Sequence, residues 1–273
     1  MTLPVFDHLA EIASTVSAAH QLFLFLDFDG TLAPIVDDPD KAYMPEETRK
    51  ALRELAGKDR VFLAIISGRE LSDLRERVGF KQFIYAGNHG LEISGPGMNF
   101  VEPGAALQIK ALGELARHLR LRLHDIPGVE VENKVLSASV HFRRAQPERR
   151  EEIDRVVRNA VESIGNLFEV TMGRKVFEIR PRVSWHKGRA VRWIKEMCGG
   201  PDALSIYLGD DATDEDAFSV LSGDITISVG RCARTSARYC LERQEAAQEF
   251  LAWLAELTVA QGSECEMLTQ RPA

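Results

Sequence analysis

The chain lacks a basic balance, lacks cysteine pairs and lacks long apolar runs, and each absence removes a class of function. Over 273 residues, 34 Lys and Arg stand against 41 Asp and Glu, a formal net charge of −7. Gripping a nucleic-acid backbone needs a basic face, so this balance argues against such a partner, though it leaves room for a local basic pocket. The four cysteines, Cys198, Cys232, Cys240 and Cys265, form no C-x-x-C pair, and none has a His at zinc spacing. They read as thiols of a reducing compartment rather than a metal or disulfide framework. The N-terminal region has no basic start of the kind a signal peptide carries. Its apolar run, Leu22 to Leu26, falls far short of the ~20 residues that span a bilayer. A cytoplasmic protein with no membrane and no nucleic-acid partner is expected. No internal repeat or low-complexity tract is present.

What is there suits a globular protein. Hydrophobic residues make up 45% and charged residues 27%, in a chain long enough for one large domain or two small ones. Apolar spacing predicts a helix over 4–19, then a strand at Leu22–Leu26 with no polar alternation, the mark of a strand buried on both faces. Helix 45–56, strand 61–66, a helix to about Val78 and strand 83–86 continue a parallel α/β layout. Near residue 91 the pattern changes. A hairpin around Gly95-Pro96-Gly97 precedes helix 106–124, strands 128–133 and 135–143, helix 147–164, and strands 167–172 and 175–180. This reads as an inserted α+β module, because helix 187–198, strand 204–208, helix 213–221, strand 225–229 and helix 244–258 then resume the first layout. Residues 261–273 are polar and expected to fray.

The polar clusters fall just after the strands, where open α/β sheets bind ligands. Asp27-x-Asp29-Gly-Thr31 follows the first apolar strand. A carboxylate can attack phosphorus, and a second can protonate the leaving alkoxide and then deprotonate water, which points to Asp27 as nucleophile and Asp29 as acid/base. Thr31 and Ser67 can donate hydroxyls to phosphoryl oxygens, with Gly68 and Arg69 in the same loop; Ser67 can equally serve as a helix N-cap. Lys187 is predicted at a helix N-terminus, where the macrodipole gives a cation nothing, so a role in neutralising Asp27 and a phosphoryl group is the better reading. Five carboxylates between Asp210 and Asp216 repel one another unless compensated. A solvated helix start would explain some of them. A hard divalent cation explains more, with Asp210 as first ligand, Asp214 holding a metal-bound water, and Asp27 and the main-chain carbonyl of Asp29 completing the set around Mg²⁺.

Taken in order, Asp27-Phe-Asp-Gly-Thr31, Ser67, Lys187 and Gly209-Asp-Asp211 with Asp214 resemble the haloacid dehalogenase superfamily. The resemblance implies an α/β fold: a Rossmann-like parallel-sheet core, 1–104 and 181–273, with an inserted α+β cap of the C2 type, 105–180. More narrowly, the chain is similar to trehalose-6-phosphate phosphatases. The similarity is carried by Leu26–Pro34, Ser67-Gly-Arg69, Gly87-Asn-His-Gly-Leu-Glu92, Val131-Glu-Asn-Lys134, His141-Phe-Arg143, Gly173–Pro181 and Gly209–Phe218. It implies Mg²⁺-dependent hydrolysis of trehalose 6-phosphate through an aspartyl-phosphate, with Asn88, His89, Glu132, Lys134, His141, Arg143, Lys175 and Glu178 binding the substrate. A monomer is expected. The alternatives are another sugar-phosphate phosphatase or a phosphomutase of the same fold, and a non-catalytic domain that senses a sugar phosphate.

Read from the residues alone, the cap is less decided. A strand over 135–143 would put Ser137, Ser139, His141 and Arg143 on one face, either over a sugar or in solvent. A strand over 175–180 would put Lys175 and Glu178 on opposite faces, so both can meet one sugar only if a bulge intervenes.

Overall fold

The computed structural model describes residues 2–173 and 175–269, with 259–269 described by backbone path alone. Arg174, part of the Gly173–Pro181 motif, and the polar end 270–273 lie outside the described residues, as does the side chain of Cys265.

The chain runs β1 (Leu3–Pro4), α1 (Leu9–Ala18), β2 (Leu22–Leu26), α2 (Glu46–Ala56), β3 (Val61–Ile66), α3 (Leu71–Val78) and β4 (Ile84–Gly87), then the hairpin β5 (Glu92–Gly95) and β6 (Met98–Val101). Next come α4 (Pro103–Leu123), β7 (Glu130–Asn133), β8 (Ala138–His141), α5 (Arg150–Glu162), β9 (Phe168–Gly173) and β10 (Val176–Pro181). The chain closes with α6 (Lys187–Met197), β11 (Leu204–Gly209), α7 (Glu215–Val220), β12 (Ile225–Val229), β13 (Tyr239–Leu241) and α8 (Glu245–Thr269).

Two sheets result. The larger has the order β1-β13-β12-β11-β2-β3-β4-β5-β6, parallel from β1 to β4 and antiparallel through β5 and β6. The smaller is antiparallel, in the order β7-β8-β10-β9, with α4 and α5 against it. The fold is therefore the α/β architecture expected, an open parallel-dominated sheet carrying an inserted α+β unit.

The central strand shows why the sequence folds this way. All five residues of β2 are buried. The two-residue period sends Leu22, Leu24 and Leu26 into one apolar layer with α1, α2 and α8, and Phe23 and Phe25 into the opposite layer with α6 and α7. Coverage on both faces is what a parallel sheet requires. Among the described residues no helix is long and apolar enough to cross a membrane.

Several expected boundaries move. The N-terminal helix begins at Leu9 rather than 4, because Leu3–Pro4 pairs in parallel with β13 and Val5–His8 forms a 3-10 turn. Pro4 has no N–H to give a ladder, and the sheet edge is where a strand tolerates that. Helix α4 starts at Pro103, with the Glu102 carboxylate accepting the Ala105 N–H. Proline at the first helical position costs no hydrogen bond. Strand 135–143 shrinks to β8, because Lys134–Ser137 is a tight turn with Val135 at φ +66°. The final helix extends to Thr269.

Candidate active site

The C-terminal ends of β2, β3 and β11 open onto a cavity of about 1150 Å³, roofed by the smaller sheet. Asp27 leaves β2 with its N–H bonded to the Leu208 carbonyl, 2.9 Å. The chain then doubles back: Leu32 and Ala33 donate to the Phe28 carbonyl and Gly30 to that of Ala33. Two features favour glycine at position 30. Its φ is +84°, and a Cβ there would lie 2.1 Å from the Asp210 Oδ2.

At the floor, the Lys187 Nζ donates to Asp27 Oδ1 and Asp214 Oδ1, both at 2.7 Å. Lys187 is 2% exposed, Asp27 5% and Asp214 0%. The Tyr207 hydroxyl donates to the same Asp214 Oδ1 at 2.7 Å, and the Asp211 N–H to Asp214 Oδ2 at 3.0 Å. Asp27, Asp210 and Asp214 offer oxygens that all lie within 4.8 Å of one another. One ammonium thus faces three carboxylates.

The proton affinities record the mismatch. Burial, with Asp214 and Asp210 adding to it, raises Asp27 well above the usual carboxyl range, against the pull of Lys187. Burial and then Asp214 push Asp210 up to about 7. Burial works against the charge on Lys187, but Asp214 and Asp27 outweigh it and hold the ammonium protonated.

Such a donor set fits a hard cation. All the donors are oxygens, the group carries an excess of negative charge, and the buried Asp210 Oδ1 has no hydrogen-bond partner among the described residues. The rest of the acidic run is explained without a metal. Asp211 caps the turn at the Thr213 N–H, 2.6 Å; Glu215 accepts the N–H and hydroxyl of Ser236; and Asp216 lies 3.8 Å from His186.

A pH effect follows for the metal-free protein. A carboxyl whose folded pKa is raised binds its proton more tightly folded than unfolded, so its contribution is full at low pH and lost as pH rises through the folded value. For Asp210 the window runs from 3.8 to about 7. We expect the chelated protein to melt at a lower temperature at about pH 8 than at about pH 5, with a smaller gap in Asp210→Asn. Melting curves at the two pH values check this, and an equal gap in the variant rejects it.

Asp29 stands apart from the three acids. Its carboxylate is held in a fork by Arg69, Nε to Oδ2 at 2.7 Å and Nη2 to Oδ1 at 2.8 Å. Arg69 also donates to Asp73 Oδ2, 2.8 Å, and to the Pro39 carbonyl, 2.9 Å. Arg69, expected on a phosphoryl group, lines the cavity, but its guanidinium is bonded to Asp29, Asp73 and the Pro39 carbonyl. Ser67 lines the cavity, and its hydroxyl accepts the Arg69 N–H at 3.2 Å. It is not a helix N-cap, since α3 begins at Leu71 after Glu70. Gly68 is also on the wall, and a Cβ there would sit 2.7 Å from the His89 ring. Thr31 is 1% exposed, and its buried hydroxyl has no partner among the described residues; it lies behind the wall rather than on it.

From the roof, Glu132, Lys134, His141, Arg143, Lys175 and Glu178 all line the cavity. Glu132 Oε2 lies 3.0 Å from His141 Nε2. The Lys134 Nζ is 3.5 Å from Glu178 Oε1 and donates to the Gly68 carbonyl at 3.2 Å. Ser139 donates to the Glu178 carboxylate at 2.9 Å, and Arg143 donates to the Val36 carbonyl. Lys175 and Glu178 share the cavity without a bulge, because Lys175 is a turn residue at φ +61° that precedes β10. His89 also faces the cavity. Burial first, then Arg180, Lys187 and Lys134, lower its pKa far below the usual imidazole value, so the ring is neutral. Asn88 is fully buried and is not on the wall.

Two residues escaped the sequence reading. Tyr207 sits inside an apolar strand run, and nothing local distinguishes its hydroxyl from a core phenol. Arg180 lines the cavity, its buried Nε without a partner among the described residues; the period of two puts it on the face of Glu178, but gives it no role in the site.

A family model described as trehalose-phosphatase matches residues 25–245. A protein of Oryza sativa subsp. japonica, "Probable trehalose-phosphate phosphatase 4", is 37% identical over 96% of this chain and 73% of its own length. A Mycobacterium tuberculosis trehalose-phosphate phosphatase is 42% identical over 74% of this chain, which spans about half, 52%, of that protein. Among solved structures, the C-terminal domain of Candida albicans trehalose-6-phosphate phosphatase superposes with a TM-score of 0.79 at 23% identity, covering 94% of this chain and 98% of that one. The last is a likeness of fold.

Proposed function

The chain belongs to the trehalose-phosphatase family, and on that premise we propose that it hydrolyses trehalose 6-phosphate to trehalose and inorganic phosphate. The observation that carries the reading is the buried Asp27–Lys187–Asp214 arrangement at the floor of a cavity of about 1150 Å³ whose roof presents charged side chains. In this reading residues 1–104 and 181–273 form the core, and 105–180 form the cap.

An Asp27 carboxylate oxygen attacks phosphorus, and the bond from phosphorus to the sugar O6 breaks. Asp29, turned from its Arg69 fork toward the ester, gives its proton to that oxygen, so that trehalose leaves neutral. Asp29, now a carboxylate, takes a proton from a water that attacks the phosphoryl group, and the bond to Asp27 breaks. Lys187 holds Asp27 in place and balances charge throughout, while Ser67 and the Gly68 N–H can meet the phosphoryl oxygens. Asp27, Asp210 and the Asp29 carbonyl would hold Mg²⁺, with Asp214 behind them, and the ion would supply positive charge against the phosphoryl group. The cap excludes bulk water and presents Glu132, Lys134, His141, Arg143, Lys175 and Glu178 to sugar hydroxyls.

Phosphate release should be measured from trehalose 6-phosphate, glucose 6-phosphate, sucrose 6-phosphate and mannose phosphates, with Mg²⁺ and with chelator. We expect the trehalose ester to be preferred and the activity to vanish on chelation. Preference for another ester discards the cap assignment; no release from any ester favours the sensing domain.

A further inference from the structure

Asn88 carries more protein contacts than a sugar-binding residue could spare. Its side-chain N–H groups donate to Glu92 Oε1 at 2.6 Å and to the Lys134 carbonyl at 3.0 Å, and its side-chain oxygen accepts the Ser137 hydroxyl. Its backbone N–H bonds the Arg69 carbonyl at 2.7 Å, and Glu92 Oε1 also takes the Leu71 N–H at 2.9 Å. An amide has two donors and an acceptor, and here all are engaged inside the protein. Asn88, Ser137 and Lys134 are 0%, 0% and 6% exposed.

The location of this knot is informative. On one side lies the Ser67–Gly68–Arg69 loop of the core. On the other is the tight turn 134–137, where Lys134 bonds Ser137, Leu136 bonds Lys134, and Val135 takes a left-handed φ. Beneath it, Leu136 packs with Leu91 and Ala105, flanked by Val183 and Trp185. These come from the two segments that carry the chain into and out of the inserted unit. The knot therefore ties the 134–137 turn to the core beside the segments that join the inserted unit to it. From the same residue whose carbonyl is anchored, the Lys134 side chain reaches the Gly68 carbonyl and the Glu132 and Glu178 carboxylates.

We infer that Asn88 is a positioning residue, not a sugar contact: its amide anchors the 134–137 turn to the core and thereby sets Lys134 over the Ser67–Arg69 loop. This rests on the cap reading above and changes one member of it. Asparagine suits the place, since Asn88 has φ +49° and short polar side chains tolerate that region better than most. An aspartate would keep the backbone but set a carboxylate against Glu92 and the Lys134 carbonyl.

The test uses Asn88→Asp, Lys134→Ala and the double variant of the full chain, on trehalose 6-phosphate and on p-nitrophenyl phosphate, whose leaving group makes no sugar contacts. Asn88→Asp should lower kcat/KM about tenfold more on the disaccharide ester than on the aryl ester, chiefly through KM. In the Lys134→Ala background it should cost no further selectivity, because residues acting as one unit are not additive. Equal losses on both esters would reduce Asn88 to a structural role, and a selectivity loss undiminished without Lys134 would make it an independent sugar contact; either overturns the anchor. If Asn88→Asp does not fold, Ser137→Ala removes one strand of the knot and should show the same pattern at about threefold. The ester panel decides the substrate reading beforehand, and whichever cap-dependent ester the wild-type chain prefers serves here.

Discussion

Replacing Asp27 by Asn should abolish turnover while leaving substrate binding and fold in place. The amide has the size of the carboxyl and can still accept from Lys187, but its oxygen is not a nucleophile toward phosphorus. Removing the group that forms the covalent bond typically costs about 10⁴-fold or more. Asp27 is 5% exposed and sits at the end of a fully buried strand, so little else reaches the phosphoryl group from that side. The substitution also removes one negative charge from a set of three carboxylates facing one ammonium, so the metal-free variant should be no less stable than the parent. Turnover is read by phosphate release, binding by calorimetry with the substrate, and stability by thermal melting. Turnover at a tenth of wild type or above would dismiss Asp27 as the nucleophile. A loss of binding together with a fallen melting temperature would show that Asp27 holds the site together rather than reacting.

The parts of this site legible in the sequence are those set by local pattern. An unbroken apolar run such as Leu22–Leu26 or Val61–Ile66 specifies a strand covered on both faces, and the polar cluster after it then falls at the sheet's C-terminal edge. That places Asp27, Ser67 and Asp210 in one cleft without any knowledge of long-range contacts. What pattern does not encode is which of several charged neighbours a side chain chooses. Arg69 had the composition of a phosphate ligand, and nothing local shows that its guanidinium also binds Asp29 and Asp73. Tyr207 reads as core until Asp214 is seen behind its hydroxyl. Lys175 looked misplaced on a regular strand, and only its left-handed φ returns it to the cavity. The short pairing of Leu3–Pro4 with β13 is invisible for a related reason. Two or three residues have no period, and their partner lies at the other end of the chain.

Replacing Lys187 by Met should cost nearly as much activity as removing the nucleophile's partner charge allows, and it should also unsettle the fold in a pH-dependent way. Lys187 is the only cation hydrogen-bonded to Asp27 and Asp214 among the described residues, at 2.7 Å to each. Methionine keeps the length and the apolar stem but leaves Asp27, Asp210 and Asp214 facing one another. Breaking a buried ion pair from one side costs about 3–5 kcal/mol, because the surviving charge is left without compensation. The acids can escape this cost by taking up protons, so their affinities, already raised by burial, should rise further. The stability deficit should then be largest above about pH 7 and shrink toward about pH 5, where protonated carboxyls no longer repel. Turnover at saturating Mg²⁺ should fall by about 10²–10³, the usual cost of deleting one preorganised electrostatic partner of the transition state. Lys187→Arg tests geometry separately: it restores charge but not the compact point donor that fits between two carboxylates, so stability should recover more than activity. Melting curves across pH and phosphate release from the two variants decide the matter. If Lys187→Met keeps a tenth of the turnover or melts no lower at high pH than at low, the ammonium neutralises nothing that matters. The charge balance of the site would then rest on the cation held by Asp27 and Asp210.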